Sequence, residues 1–165
     1  MRFVARAVLV SFAAVILAAP VSGQSADDQI LPKSVEIQRQ GQALMSAGKF
    51  EQAEDALETA LAVDPRNRWA FVDLARVAEK QRLFGKAIRM ANKALQLEPN
   101  DPDAIAVQGE AMVELGATAR AQANLVKLQQ ICGAKGCPQV AQLSAAISRG
   151  PSVAAAKAPP SPKSN

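Results

Sequence analysis

Between residues 34 and 135 the apolar positions fall at helical spacing, and the same pattern returns every 34 residues. Gly41, Ala75 and Gly109 share one column, and Ala53, Ala87 and Ala121 share another. Ala60 and Ala94 make a third, which Leu128 ends. Larger apolar columns run through Ile37, Phe71 and Ile105, and through Leu57, Ala91 and Leu125. Pro65 and Pro99 close the first two units, and Gly133 holds that place in the third. Each unit has room for two helices, so the pattern predicts helices over 34–47, 50–63, 68–81, 84–97, 102–115 and 118–131. Gly48 and Gly116 stand just past the first helix of their units, where a left-handed backbone is wanted, while the second unit has Arg82 there. Asn67 and Asp101 are placed as N-caps, and Pro102 suits a first helical turn.

The columns have a physical reason. Two antiparallel helices approach closely only where the contact carries small side chains, so Gly41 and Ala53 are expected to face each other. Leu44, Leu57 and Leu61 then fill the space between one helix pair and the next. A single pair cannot bury its apolar face, so the units must stack. After the third unit, Pro138 opens a further helix at about 138–148 with Val140, Leu143, Ala146 and Ile147 on one face. Such a helix would cover the apolar end of the stack.

In its period and its small-residue columns, the stretch 34–135 resembles the tetratricopeptide repeat family, and with its late cysteine pair the chain resembles exported bacterial members. The resemblance implies an all-α fold: a right-handed α-solenoid of three helix hairpins (34–67, 68–101, 102–135) with a capping helix within 136–149. It also implies a concave groove lined by the first helix of each unit, and a peptide or protein segment as its occupant. Here those positions are Val35, Gln38, Gln42 and Met45; Trp69, Val72, Arg76 and Glu79; Asp103, Ala106, Glu110 and Val113. Some relatives clamp a chaperone's C-terminal carboxylates with Lys, Arg and Asn on those faces. This chain has Gln38, Gln42, Asp73, Asp103 and Val107 at the corresponding places, which argues against a carboxylate clamp. The family's tryptophan column is held by Ile37, Phe71 and Ile105, and the one Trp lies two residues earlier, at Trp69. Two residues turn a helix by about 200°, so Trp69 is expected either to face the groove as a partner anchor or to pack on the first unit near Met45.

Outside the repeats, residues 1–23 read as a signal peptide. Arg2 and Arg6 precede the apolar run Ala7 to Ala19, Pro20 breaks it, and Val21-Ser22-Gly23 offers small residues for cleavage. A run of 13 residues, one of them Ser, is too short for a span that needs about 20, so contact with the membrane is expected only through that transient leader. Residues 24–33 read as a polar lead-in, and 150–165, rich in Pro, Ala, Ser and Lys, as a disordered tail. An exported chain enters an oxidising compartment, where Cys132 and Cys137, the only cysteines, are expected to form a disulfide. The expected location is the periplasm or the exterior.

Composition narrows the chemistry. There is no His, the commonest general base and metal ligand, and no Gly-rich phosphate loop. No catalytic set, cofactor site or metal site can be assembled on that basis, and a non-enzymatic role is expected. The formal charge of +4 falls to +2 once the two leader arginines are subtracted (4 − 2), too little for non-specific nucleic-acid binding. The charge is uneven, however. Unit 34–67 has 3 basic and 6 acidic residues, and unit 68–101 has 7 basic and 4 acidic. Glu51, Glu54, Asp55 and Glu58 line one helix face, and Arg82, Lys86, Arg89 and Lys93 line another, which suggests neighbouring charge ladders that set repeat order. Two functions fit: a monomeric binding module for a peptide or protein, or a structural subunit that uses the same surfaces to assemble an envelope complex. Solution mass separates them.

Overall fold

The structure, a computed structural model, describes residues 30–152. The leader, most of the lead-in and the tail beyond Ser152 lie outside the described residues. Helices α1 (Pro32–Ser46), α2 (Phe50–Val63), α3 (Arg68–Lys80), α4 (Phe84–Leu97), α5 (Pro102–Glu114), α6 (Thr118–Cys132) and α7 (Pro138–Arg149) follow one another, with one 3-10 turn at Gly133–Lys135. No strand occurs among the described residues. Successive helices pair as hairpins, α1, α3 and α5 pack side by side, and α7 packs on both α5 and α6. The arrangement is an all-α solenoid of stacked hairpins.

Local chemistry places the ends. Asn67 and Asp101 cap α3 and α5, accepting from the amides of Ala70 and Ala104 at 3.2 and 2.9 Å. The turn after each first helix needs a left-handed residue, which Gly48, Arg82 and Gly116 supply with φ of 74°, 61° and 75°. Arg82 therefore adopts the glycine conformation, at a cost of about 1–2 kcal/mol for an L residue.

Side-chain size trades between columns. A Cβ on Gly41 would stand 2.7 Å from Leu57 Cγ, so that close pair is possible only with glycine. In the second unit the leucine position is Ala91, and Ala75 packs against it. Gly109 is held by α7 instead: a Cβ there would meet Leu143 Cδ1 at 2.7 Å. Leu143 is fully buried, with Val140 and Ile147 packed on the same cluster, so α7 closes the apolar end.

Equivalent polar contacts tie unit to unit. Ser34 Oγ accepts from Asn67 Nδ2 (2.9 Å) and donates to the Ala60 carbonyl (2.7 Å), while one unit later Arg68 pairs with buried Asp101. Two expectations need correction here. The first helix begins at Pro32, not Ser34: Leu31 caps it, Leu31 N–H donates to Asp64 Oδ2 (2.9 Å), and Ile30 is buried, so the end of the lead-in belongs to the fold. The charge ladders reduce to a single pair, Lys86 with Glu54. Glu51, Asp55, Glu58 and Arg89 remain exposed without an ion pair to any described residue, and Arg82 turns to Ser152 and to the Phe84 ring.

Candidate partner-binding groove

The first helices share one face of the solenoid, and α7 extends it beside α5. The face has two parts with different chemistry.

The first is a continuous polar ladder. Gln38 and Gln42 of α1 both donate to Asp73 Oδ2 of α3, the latter at 2.9 Å. Arg76 lies 3.7 Å from Asp73 Oδ1 and donates to Asp103 Oδ1 of α5 at 2.5 Å. Gln139 of α7 donates to the same Asp103 oxygen at 3.0 Å. Burial pushes Asp73 above the ordinary carboxylate range, against the stabilising effect of Gln38, Arg76 and Gln42. The ladder spans four helices and spends its donors and acceptors internally.

The second part lies toward the C-terminal ends of the first helices. There a cavity of about 500 Å³ is lined by Met45, Ser46, Gly48, Phe50, Arg76, Glu79, Lys80, Glu110 and Gln142. A smaller one of about 180 Å³ shares Glu79, Lys80 and Glu110 and adds Phe84, Glu114, Ala146 and Arg149. Burial, and then the neighbouring charge of Glu110, push Glu79 up to about 8. Burial also raises Glu110, although Arg76, Gln142, Arg149 and Lys80 work against it. Glu110 Oε1 is a buried acceptor with no hydrogen-bond partner, and Gln81 Oε1, beside the adjoining hollow at Gly48–Phe50, is another. A wall with unsatisfied acceptors and apolar Met45, Phe50 and Ala146 suits a segment that brings donors and an apolar side chain. Among the described residues no group of three or more His, Cys, Asp or Glu could hold a metal ion.

The expected groove residues divide accordingly. Met45, Arg76, Glu79 and Glu110 come together around the cavity. Gln42 and Asp103 belong to the ladder, and Val35 and Trp69 are half-buried. Gln38, Val72, Ala106 and Val113 are corrected: all four are buried, Gln38 under Asp73 and the other three in the packing between units, so a partner cannot reach them. Trp69 lies under the Arg68 guanidinium, 4.7 Å from the ring centroid. It is ten residues from Glu79 on the same helix, a rise of about 15 Å, so it stands apart from the cavity. The α7 contribution, Gln142 and Arg149, was not anticipated. Carrying the 34-residue count once more would have marked it, because Leu143 stands 34 residues after Gly109.

Residues 39–105 match the tetratricopeptide repeat family model. No curated protein matches the chain. Tetratricopeptide domains of known structure align with it over most of their length. The Sgt2 domain from Aspergillus fumigatus is 21% identical, with a TM-score of 0.66, covering 72% of this chain and 79% of its own. The TPR2B domain of yeast Sti1, solved as a complex with pHsp70, is 21% identical, with a TM-score of 0.63 and coverages of 71% and 97%. A Yersinia enterocolitica type III secretion chaperone, SycD, solved with a peptide of the translocator YopD, is 19% identical, with a TM-score of 0.62 and coverages of 73% and 92%. At these identities the likeness is one of fold.

Proposed function

We propose that this chain is an exported, non-catalytic tetratricopeptide interaction module that holds a peptide or protein segment against its concave face. The observation that carries the reading is the cavity of about 500 Å³ between Met45, Glu79, Glu110 and Gln142, with its unpartnered buried acceptor. Structures of the same fold in complex with pHsp70 or with a peptide support it. Export rests on the leader-like residues 1–23 and is in keeping with Cys132 and Cys137, whose Cα atoms stand 5.6 Å apart with the sulfurs at disulfide distance. The polar ladder occupies the places where relatives clamp carboxylates, so an acidic C-terminus is not the expected ligand. The absence of His from the sequence supports the non-enzymatic reading.

Quantitative capture of a partner from the exporting cell tests this. Glu110→Arg should cut capture at least tenfold, about 1.4 kcal/mol, while Lys93→Glu on the exposed face of α4 should not. Trp69→Ala, far from the cavity, should change it little. Equal capture by the parent and Glu110→Arg would refute the groove. A stable oligomer that captures nothing would favour an assembly subunit instead.

A further inference from the structure

The joint between α6 and α7 is built differently from the joints between the earlier units. Where α2 meets α3 and α4 meets α5, a buried polar side chain caps the next helix. Asn67 accepts from Ala70 N–H and donates to Ser34, and Asp101 accepts from Ala104 N–H and pairs with Arg68. Counted on by 34, their place falls to Lys135, which is exposed. Cys137 precedes α7 without a side-chain capping hydrogen bond. Gly133 and Gly136 adopt left-handed φ of 58° and 67°, and residues 133–136 are all exposed. Glycine backbone gives such a turn little stiffness of its own. The tie at this joint is the pair Cys132 and Cys137, whose sulfurs stand at disulfide distance in half-buried residues. The helix it holds, α7, is the outermost described one and packs only on α5, α6 and their turns, through buried Leu143 and Ala146. An element with neighbours on one side opens more readily than an inner one.

We propose that the Cys132–Cys137 bond is a redox latch on α7, and that its reduction by a dithiol lets α7 leave α5 and α6 while the other helices stay packed. A thiolate of the dithiol attacks one Sγ and displaces the other; its second thiol then displaces the first cysteine. Two electrons and two protons pass to the protein, which ends with two thiols, and the dithiol ends as a disulfide. Departure of α7 removes Gln139 from Asp103, Gln142 and Arg149 from the cavity walls, and Leu143 from Gly109. The latch rests on the fold and the cysteine pair. Only its consequence, that the reduced protein holds a partner segment less well, rests on the proposed function.

Amide hydrogen exchange of the full chain, oxidised and after reduction with dithiothreitol, tests the latch without any partner, with thiol counting to fix the state of the pair. Reduction should speed exchange at Leu143 and Ala146 about thirtyfold, the loop-closure effect of a bond between residues five apart. In the reduced protein those two amides should also exchange at least tenfold faster than Leu57 of α2 and Ala91 of α4. The double variant Cys132→Ser/Cys137→Ser should behave as the reduced protein does and ignore dithiothreitol. Two free thiols after equilibration with oxidised glutathione would overturn the proposal, as would α7 exchange unchanged by reduction. One common rate for α7, Leu57 and Ala91 in the reduced protein would overturn it too, by showing that α7 leaves only when the whole chain unfolds. Failure to capture a partner leaves all these readouts in place, so the two proposals fail separately.

Discussion

The face shared by the first helices has a closed half and an open half. Around Asp73 and Asp103, carboxylates meet Gln38, Gln42, Arg76 and Gln139, and the ladder binds the helices to one another. Around Glu79 and Glu110, a turn or two along the same helices, both carboxylates are half-buried, Glu110 Oε1 has no donor, and the surface opens into a cavity. The same residue type is structural in one place and available in the other. The difference lies in the pairing: Asp73 and Asp103 accept directly from side-chain amides and a guanidinium. Glu110 instead pushes Glu79 up, and Glu110 Oε1 is left without a donor despite Gln142, Arg76, Lys80 and Arg149 nearby.

Breaking the ladder should have the largest effect on stability. Asp73→Ala strands the buried Gln38 amide and removes one partner of Arg76, so a loss of about 2–3 kcal/mol is expected from the denaturation midpoint. Next comes the wall both halves share. Replacing Cys132 and Cys137 by Ser frees the turn before α7, which carries Gln139 to the ladder and Gln142 to the cavity; the small loop implies a loss of about 2 kcal/mol.

The open half should answer in the opposite direction. Glu79 has its pKa raised from 4.5 to about 8, so the folded state holds the proton more tightly than the unfolded chain. Its contribution is fully present below pH 4.5 and is lost as pH rises to about 8, and Glu110 shifts in the same sense. Glu79→Gln should therefore raise the melting temperature at pH 8 by roughly 3–6 °C and leave it nearly unchanged at pH 4.5. Asp64, held low by Arg66, acts at the acid end with the opposite sign. The smallest effect belongs outside both halves: Lys86→Gln on the Glu54 pair should cost about 0.2–1 kcal/mol and less in high salt.

The fold was legible because period and packing use the same residues. Gly41 announces a close contact, although Leu57, expected between hairpins, approaches it more closely than the expected Ala53, which presents its carbonyl; Asn67 and Asp101 announce caps and act as caps. The site was less legible because groove and core alternate on one helix. Val72 and Met45 are both apolar and both lie on first helices, yet Val72 packs against Ala94 and Ala104 while Met45 reaches the cavity. Only the offset of the neighbouring helix decides which is which. The charge ladders failed for a related reason: residues on facing helices share a pattern, but long exposed side chains meet only where a particular pair is within reach, as Glu54 and Lys86 are. Pairing of Gln38 with Asp73 across 35 residues carried no local signal at all.

Photo-crosslinking in cells that produce the protein tests the open half most directly. A photoreactive residue is placed at Met45, in the cavity, and in a second strain at Gln122, exposed on α6. Adducts to another protein or peptide should form from Met45, disappear when Glu110→Arg is added, and be absent from Gln122. Adducts from Gln122 alone, or adducts at Met45 indifferent to Glu110→Arg, would contradict a partner-binding cavity.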